Sequence, residues 1–409
     1  MDDAPQQAVW TPPTFNLSAA PSEACLFELS SAEENFARCA KIAPDGSSFI
    51  AQCEDHSLQI YDFSKYAFDS SLYRGIGRPD VALQLRASYR IVDHRERQIA
   101  PHSLAFASSG ERLYCGFEDA IEVFDVGYPG EGTRLHTTPS KKSKDGLKGI
   151  ISALAFSNYH STSDELLFAA GSLTPVTGNI ALFSGDGDKG PLMFVGGGPG
   201  AGVTQLQFNN YRPYMLYAAY RGNASGLIYS WDIRSRIDEP LAIYDGRPES
   251  DALYVRDETE RPTSSPKAKN QKLRFDVDIG GRYIGSGNWA GEVMLFDAET
   301  VETTLSQNVD SMDGGYEDDL TTLTIPPILR FNGHQDTVAS VAFQPWRAEL
   351  LTVSGSRHFD LGEEDSSEDE DEDLIEDDVG RGSAKAVVKR KGPTVLDNSI
   401  KLWNVAPPI

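Results

Sequence analysis

Two groups of residues have types and spacings that could do chemistry. Gly197 to Thr204 reads GGPGAGVT, which follows the phosphate-cradling pattern G-x-x-x-x-G-K-[ST] at every place except Val203. In that pattern backbone N–H groups surround the phosphates and the lysine meets the β and γ oxygens; valine supplies no cation. The same stretch also fits G-x-G-x-x-A at Gly196, Gly198 and Ala201. Both patterns need a helix next, because its N-terminus contributes aligned donors. VTQLQF follows instead, with Thr204, Leu206 and Phe208 alternating with Gln205 and Gln207, the period of a strand. No nucleotide cofactor is therefore expected. Gly196 to Gly202 should turn the backbone tightly between strands, leaving a surface that a partner could approach closely. The second group is His334 (after Gly333), Ser354, Asp397 and Trp403. His, Ser and Asp are the types used in nucleophilic catalysis. Here their placement suits an internal hydrogen-bonded network that pins adjacent strands, so no catalytic residue is assigned.

Binding candidates are basic and aromatic. RNA recognition combines cations for phosphate with planar groups that stack on unpaired bases. One basic segment holds Arg134, Lys141, Lys142, Lys144 and Lys148; another holds Arg86 and Arg90 beside Tyr89. Each competes with a plainer role as a solvated loop. Ser366 and Ser367 have acidic residues three positions on, and Ser265 precedes a proline, so these three are phosphorylation candidates. Cys25, Cys39, Cys53 and Cys115 form no C-x-x-C pair and have no clustered histidines, which predicts reduced core thiols and no metal.

The elements that must position these groups are short strands. The chain has 409 residues, with 36 Gly, 23 Pro, 16 Tyr and 19 Phe, a composition that favours an all-β fold rich in turns. A unit of three strands ending in an aromatic residue recurs six times, with anchors at Tyr61, Phe124, Phe183, Trp231, Phe296 and Trp403. A fourth strand comes from the variable segment between copies, as in PLMFV at 191–195. The units resemble WD repeats, four-stranded blades of a β-propeller. The net charge of −24 argues against a protein that simply coats nucleic acid, while leaving room for a local basic site. Thirteen acidic residues lie between Asp360 and Val379. The polar N-terminus MDDAPQQAVW and the lack of an apolar run of about 18 residues predict a soluble intracellular protein without membrane association.

Five stretches are more specific: ENFARCAKIAPDGSSFI, AHSLAF with RLYCGF, GIISALAFS, SWDIRS, and NQKLRFDVDIGGRYIGSG. Together, from about Glu34 to Arg357, the chain resembles the telomerase Cajal body protein family, also called the WD-repeat antisense family. The resemblance implies a non-catalytic, monomeric propeller that binds small noncoding RNA and RNP proteins in the nucleus, in Cajal-body-like structures, with a cytoplasmic pool as an alternative. It also implies seven blades, whereas six units are recognisable. Only 63 residues separate Tyr61 from Phe124, too few for two units of roughly 40 each, so one blade reads as truncated. Either strands from the N-terminal segment complete the ring or the sequence lacks an exon. The expected organisation is an N-terminal segment, 1–33, with a ring-closing strand, and a propeller over 34–409. Disordered loops are expected at about 247–272 and 301–325, with an acidic insert at about 358–394. A protein-interaction platform without RNA contact is the alternative function.

Overall fold

The computed structural model describes residues 11–27, 29, 35–63, 99–128, 130, 132–138, 146–158, 167–185, 190–248, 271–301, 303–304, 322–358 and 394–407. The first strand, β1 (Ser22–Phe27), belongs to the last of six sheets. The first sheet contains β2 (Ala37–Ile42), β3 (Ser48–Cys53) and β4 (Leu58–Asp62). The second is β5 (Ser103–Phe106), β6 (Arg112–Gly116), β7 (Ala120–Asp125) and β8 (Thr133–His136). The third is β9 (Ile151–Ser157), β10 (Leu167–Ser172), β11 (Ile180–Ser184) and β12 (Met193–Val195). The fourth begins with β13 (Val203–Phe208), β14 (Met215–Tyr220), β15 (Leu227–Asp232) and β16 (Ala242–Asp245). The fifth starts as β17 (Asp276–Val277), β18 (Tyr283–Gly287) and β19 (Glu292–Asp297). After it, β20 (Leu323–Ile325) returns to the fourth sheet, parallel to β16, and β21 (Leu329–Asn332) completes the fifth. The sixth is β22 (Val338–Phe343), β23 (Glu349–Ser354) and β24 (Ile400–Asn404), with β1 antiparallel to β24.

This arrangement bears out the expected all-β, six-blade propeller. The first strands of neighbouring sheets lie against one another: β5 on β9, β9 on β13, β17 on β22, and β22 on β2. Where such a strand is covered on both faces it reads as a continuous apolar or small-residue run, as in ISALAFS of β9 and VASVAF of β22, which is buried throughout. Glycines at the ends of second strands permit this approach. A Cβ on Gly171 would stand 2.6 Å from Val203, and one on Gly287 would stand 2.4 Å from Val338. At the end of the stretch 301–325, Leu323–Ile325 forms a strand that pairs with the edge of β16. At the end of the stretch 247–272, Gln271 and Lys272 line a cavity described below.

Apolar cores sit between blades. One cluster joins the second and third sheets through Tyr114, Ile151 and Phe168, and another joins the third and fourth through Leu182, Val203 and Trp231. Tyr244 and Phe296 join the fourth and fifth, Val293 and Trp403 the fifth and sixth, and Leu351 and Phe49 the sixth and first. Among the described residues the first and second sheets share no such core. Instead Leu58 (64 % exposed) and Ile60 (62 %) on one, and Leu104 and Phe106 (60 % each) on the other, are open. Cys53 and Cys115 are buried, Cys25 and Cys39 half-buried, and all four are free thiols. Burial, with Glu122 nearby, pushes the Cys115 thiol up to about 11.

Candidate functional site

A cavity of about 720 Å³ opens at one end of the inner strands. Its walls come from four blades. Arg38, Gln52 and Glu54 lie on or beside β2 and β3, and His102 lies just before β5. Gln271, Lys272 and Arg274 precede β17, while Ser356, Arg357 and His358 follow β23. Each sits where a blade's first strand starts or its second strand ends, so the circular repeat brings equivalent ends of distant segments together.

The charge of this mouth opposes that of the chain. Four permanent cations, Arg38, Lys272, Arg274 and Arg357, face one lining carboxylate, Glu54. Glu54 is mostly buried and pairs with Arg38 at 3.1 Å and with Arg357. Arg274 is anchored by Nη1, which donates to the Thr204 carbonyl at 2.9 Å. Among the described residues no carboxylate pairs with Lys272 or Arg274. Partial burial, and then the positive charges of Arg274, Arg38 and Arg221, lower the Lys272 pKa. Like charges held this close disfavour the protonated amine, and an incoming anion would relieve that strain.

Beside the mouth, Ser356 Oγ and Asp336 Oδ2 both lie 2.9 Å from His358 Nε2, and Ser356 Oγ also donates to Asp336 Oδ1 at 2.7 Å. Burial raises the Asp336 pKa, but hydrogen bonds from Ser356, the Thr337 N–H and His358 outweigh it and hold the carboxyl below its usual range. A nucleophilic relay uses the two ring nitrogens separately, one toward the nucleophile and one toward the carboxylate. Here both partners share one nitrogen, an arrangement suited to fixing the loop after β23.

The network read around His334 forms with one substitution of partner. His334 Nε2 lies 2.7 Å from Thr352 Oγ1, which also accepts from Trp403 Nε1 at 2.8 Å. His334 Nδ1 lies 2.9 Å from Ser399 Oγ and 3.4 Å from Asp397 Oδ2. Asp397 accepts from the Gln335 and Ser399 N–H groups, both at 2.8 Å. Burial opposes its charge, yet the bonds from His334, Ser399 and Gln335 win and depress its pKa well below the carboxylate range. Ser354 is a correction: its buried Oγ has no hydrogen-bond partner among the described residues. The register pairs Leu350 with Trp403 and Thr352 with Lys401, so Thr352, on the same face as Ser354 but two residues nearer Trp403, is the hydroxyl that meets His334 and Trp403.

Of the other sequence candidates for binding, the two described ones, Arg134 and Lys148, do not line the mouth. Arg134 is exposed on β8 opposite Glu122, and Lys148 is exposed just before β9. Lys141, Lys142, Lys144, Arg86, Tyr89, Arg90, Ser265, Ser366 and Ser367 lie outside the described residues. The glycine stretch connects β12 to β13, with a strand and not a helix after it. The chain itself takes the surface at Gly196, while Gly197 is exposed and Gly200 has open space around it. Gly196 donates to the Ile237 carbonyl at 2.9 Å and accepts from Trp231 Nε1 at 3.0 Å, and a Cβ there would meet the Asp238 carbonyl at 2.7 Å. The basic mouth escaped sequence reading because clustering along the chain was the guide. The signal that could have found it is a cation recurring at equivalent ends of different repeats, as in ARCAKI, QKLRF and SGSRH.

No protein-family profile matches the chain. It is 28 % identical over 381 residues to Telomerase Cajal body protein 1 of Rattus norvegicus, covering 81 % of this chain and 61 % of that protein. To the protein of the same name in Homo sapiens it is 28 % identical over 391 residues, covering 85 % and 61 %. The resemblance read from the five stretches is thus borne out, and the chain spans about three fifths of the length of these relatives. Among solved structures, the Cps50 (Swd1) β-propeller domain of Myceliophteria thermophila matches at a TM-score of 0.42 and 14 % identity, over 64 % of this chain and 65 % of that one.

Proposed function

We propose that this chain is a non-catalytic, nuclear, RNA-binding WD-repeat scaffold for small noncoding ribonucleoproteins. The observation that carries the reading is the similarity, over about four fifths of the chain, to proteins named for telomerase and the Cajal body. The cationic mouth supports it: local basic surface is what phosphate contact requires, and a chain of net charge −24 concentrates four cations there. The shared ring nitrogen of His358 supports a structural role over a catalytic one. Crosslinking the tagged protein to RNA in cells and sequencing the attached RNA tests the proposal. Enrichment of guide-type small RNAs is expected; recovery equal to an untagged control would overturn it.

One observation favours a second reading, a protein-interaction platform without RNA contact. Leu58, Ile60, Leu104 and Phe106 are exposed on two sheet faces, and contiguous exposed apolar surface marks protein contacts. Under that reading the same experiment recovers no RNA, while affinity purification recovers protein partners that Leu58→Ser with Phe106→Ser releases.

A further inference from the structure

Resting on the RNA-binding reading, we propose that the mouth formed by Arg38, Lys272, Arg274 and Arg357 binds the backbone phosphates of an unpaired RNA segment. The geometry selects the ligand class in three steps. First, the lining is polar and cationic, with two carboxamides, Gln52 and Gln271, and two imidazoles, His102 and His358, among the cations. This suits an anion that carries further hydrogen-bonding groups.

Second, three of the four cations are guanidiniums, whose planar forks fit phosphate oxygens in pairs. Two are already oriented, since the mostly buried Glu54 holds both Arg38 and Arg357, and Arg274 is fixed on the Thr204 carbonyl. Lys272, with no carboxylate partner among the described residues, adds a point charge beside them. Groups pre-placed in this way bind without the cost of ordering them on contact.

Third, the cavity volume of about 720 Å³ is that of a site for one small molecule, within the range of about 300–1,000 Å³ for such pockets. Walls from four blades surround it. A nucleotide from a flexible single strand can enter such a recess, whereas a stacked duplex meets only its rim. Base pairing also hides the edges that glutamine and histidine would contact.

The test measures fluorescence anisotropy of a labelled unpaired RNA 12-mer, and of the same strand in a duplex, across a salt series. The whole chain is compared with Lys272→Ala/Arg357→Ala and with Arg134→Ala/Lys148→Ala, and matching thermal midpoints establish that each variant is folded. Inositol hexakisphosphate, titrated by calorimetry, represents a free polyphosphate. We expect tighter binding of the unpaired strand, a loss of at least about tenfold in the mouth variant, and a log–log salt slope shallower by about 1.4 for two lost phosphate contacts. The Arg134/Lys148 variant should bind as the original does. Unchanged RNA binding in the mouth variant, or loss confined to the Arg134/Lys148 variant, would overturn the site while leaving the RNA-binding function standing. No RNA binding by the original chain would overturn both. Mouth-dependent binding of the polyphosphate without RNA binding would assign the site to a small anion and overturn the RNA proposal.

Discussion

Among the described residues the sixth and first blades meet on a packed core, and the first and second do not. At the former junction Phe27, Phe49, Leu351, Val353 and Leu402 are buried together, and Trp346 Nε1 donates across it to the Pro44 carbonyl at 3.1 Å. At the latter, the opposite face of the same first sheet presents Leu58 and Ile60 to solvent, opposite in sequence to Leu104 and Phe106 on the second. One three-stranded sheet thus has a buried face and an open apolar face. Its strands are specified locally, by alternation and turns, while its burial depends on what arrives from elsewhere. The contrast falls where the spacing from Tyr61 to Phe124 is short for two repeats.

The largest effect that would break this comparison lies in a shared core. Phe296 is fully buried and meets Tyr244 edge-on with ring centroids 5.7 Å apart. Phe296→Ala should cost about 3–5 kcal/mol, read as a lowered denaturant midpoint. Ile60→Ser should shift stability by less than about 0.5 kcal/mol; a loss as large as that of Phe296→Ala would show that the first blade's open face is covered in solution.

Next in size is the polar network of the sixth blade. Thr352→Val leaves His334 Nε2 and Trp403 Nε1 without their common partner and should cost about 2–3 kcal/mol. Ser354→Ala removes a hydroxyl with no hydrogen-bond partner among the described residues and should be close to neutral. Equal losses in denaturation would restore Ser354 to the network.

The smallest effect concerns acid. Asp397 has a folded-state pKa below its unfolded value, so its stabilisation is fully present above an unfolded pKa of about 3.9 and is lost as pH falls through the folded value. Asp397→Asn should cost about 1 kcal/mol at pH 7. Its stability should then decline less than that of the original chain as pH falls below about 4. Parallel pH profiles from thermal melts would sever the link between this carboxylate and acid sensitivity.

Much of the fold was legible from the residues because a strand's period and its turn residues are local properties. PLMFV predicted an outer strand, and β12 occupies Met193–Val195; VTQLQF predicted β13 in place of a helix. Local pattern also showed why the glycines were not a nucleotide loop, since Val203 cannot supply the charge. It did not show that Gly196 is covered, because Trp231 and Asp238 reach it from the next blade.

By itself, the sequence determined that the chain is built from β-blades, that the glycine loop lacks its cation, and that His334, Asp397 and Trp403 suit a structural network. Only the tertiary structure decided that Thr352 and not Ser354 joins them, because strand register sets which hydroxyl along one face lies beside Trp403 and His334. It alone brought Arg38, Lys272, Arg274 and Arg357 to one mouth. Charge along a chain reports neighbours in sequence, whereas a ring of repeats makes neighbours of equivalent positions, and electrostatic energy depends on distance in space.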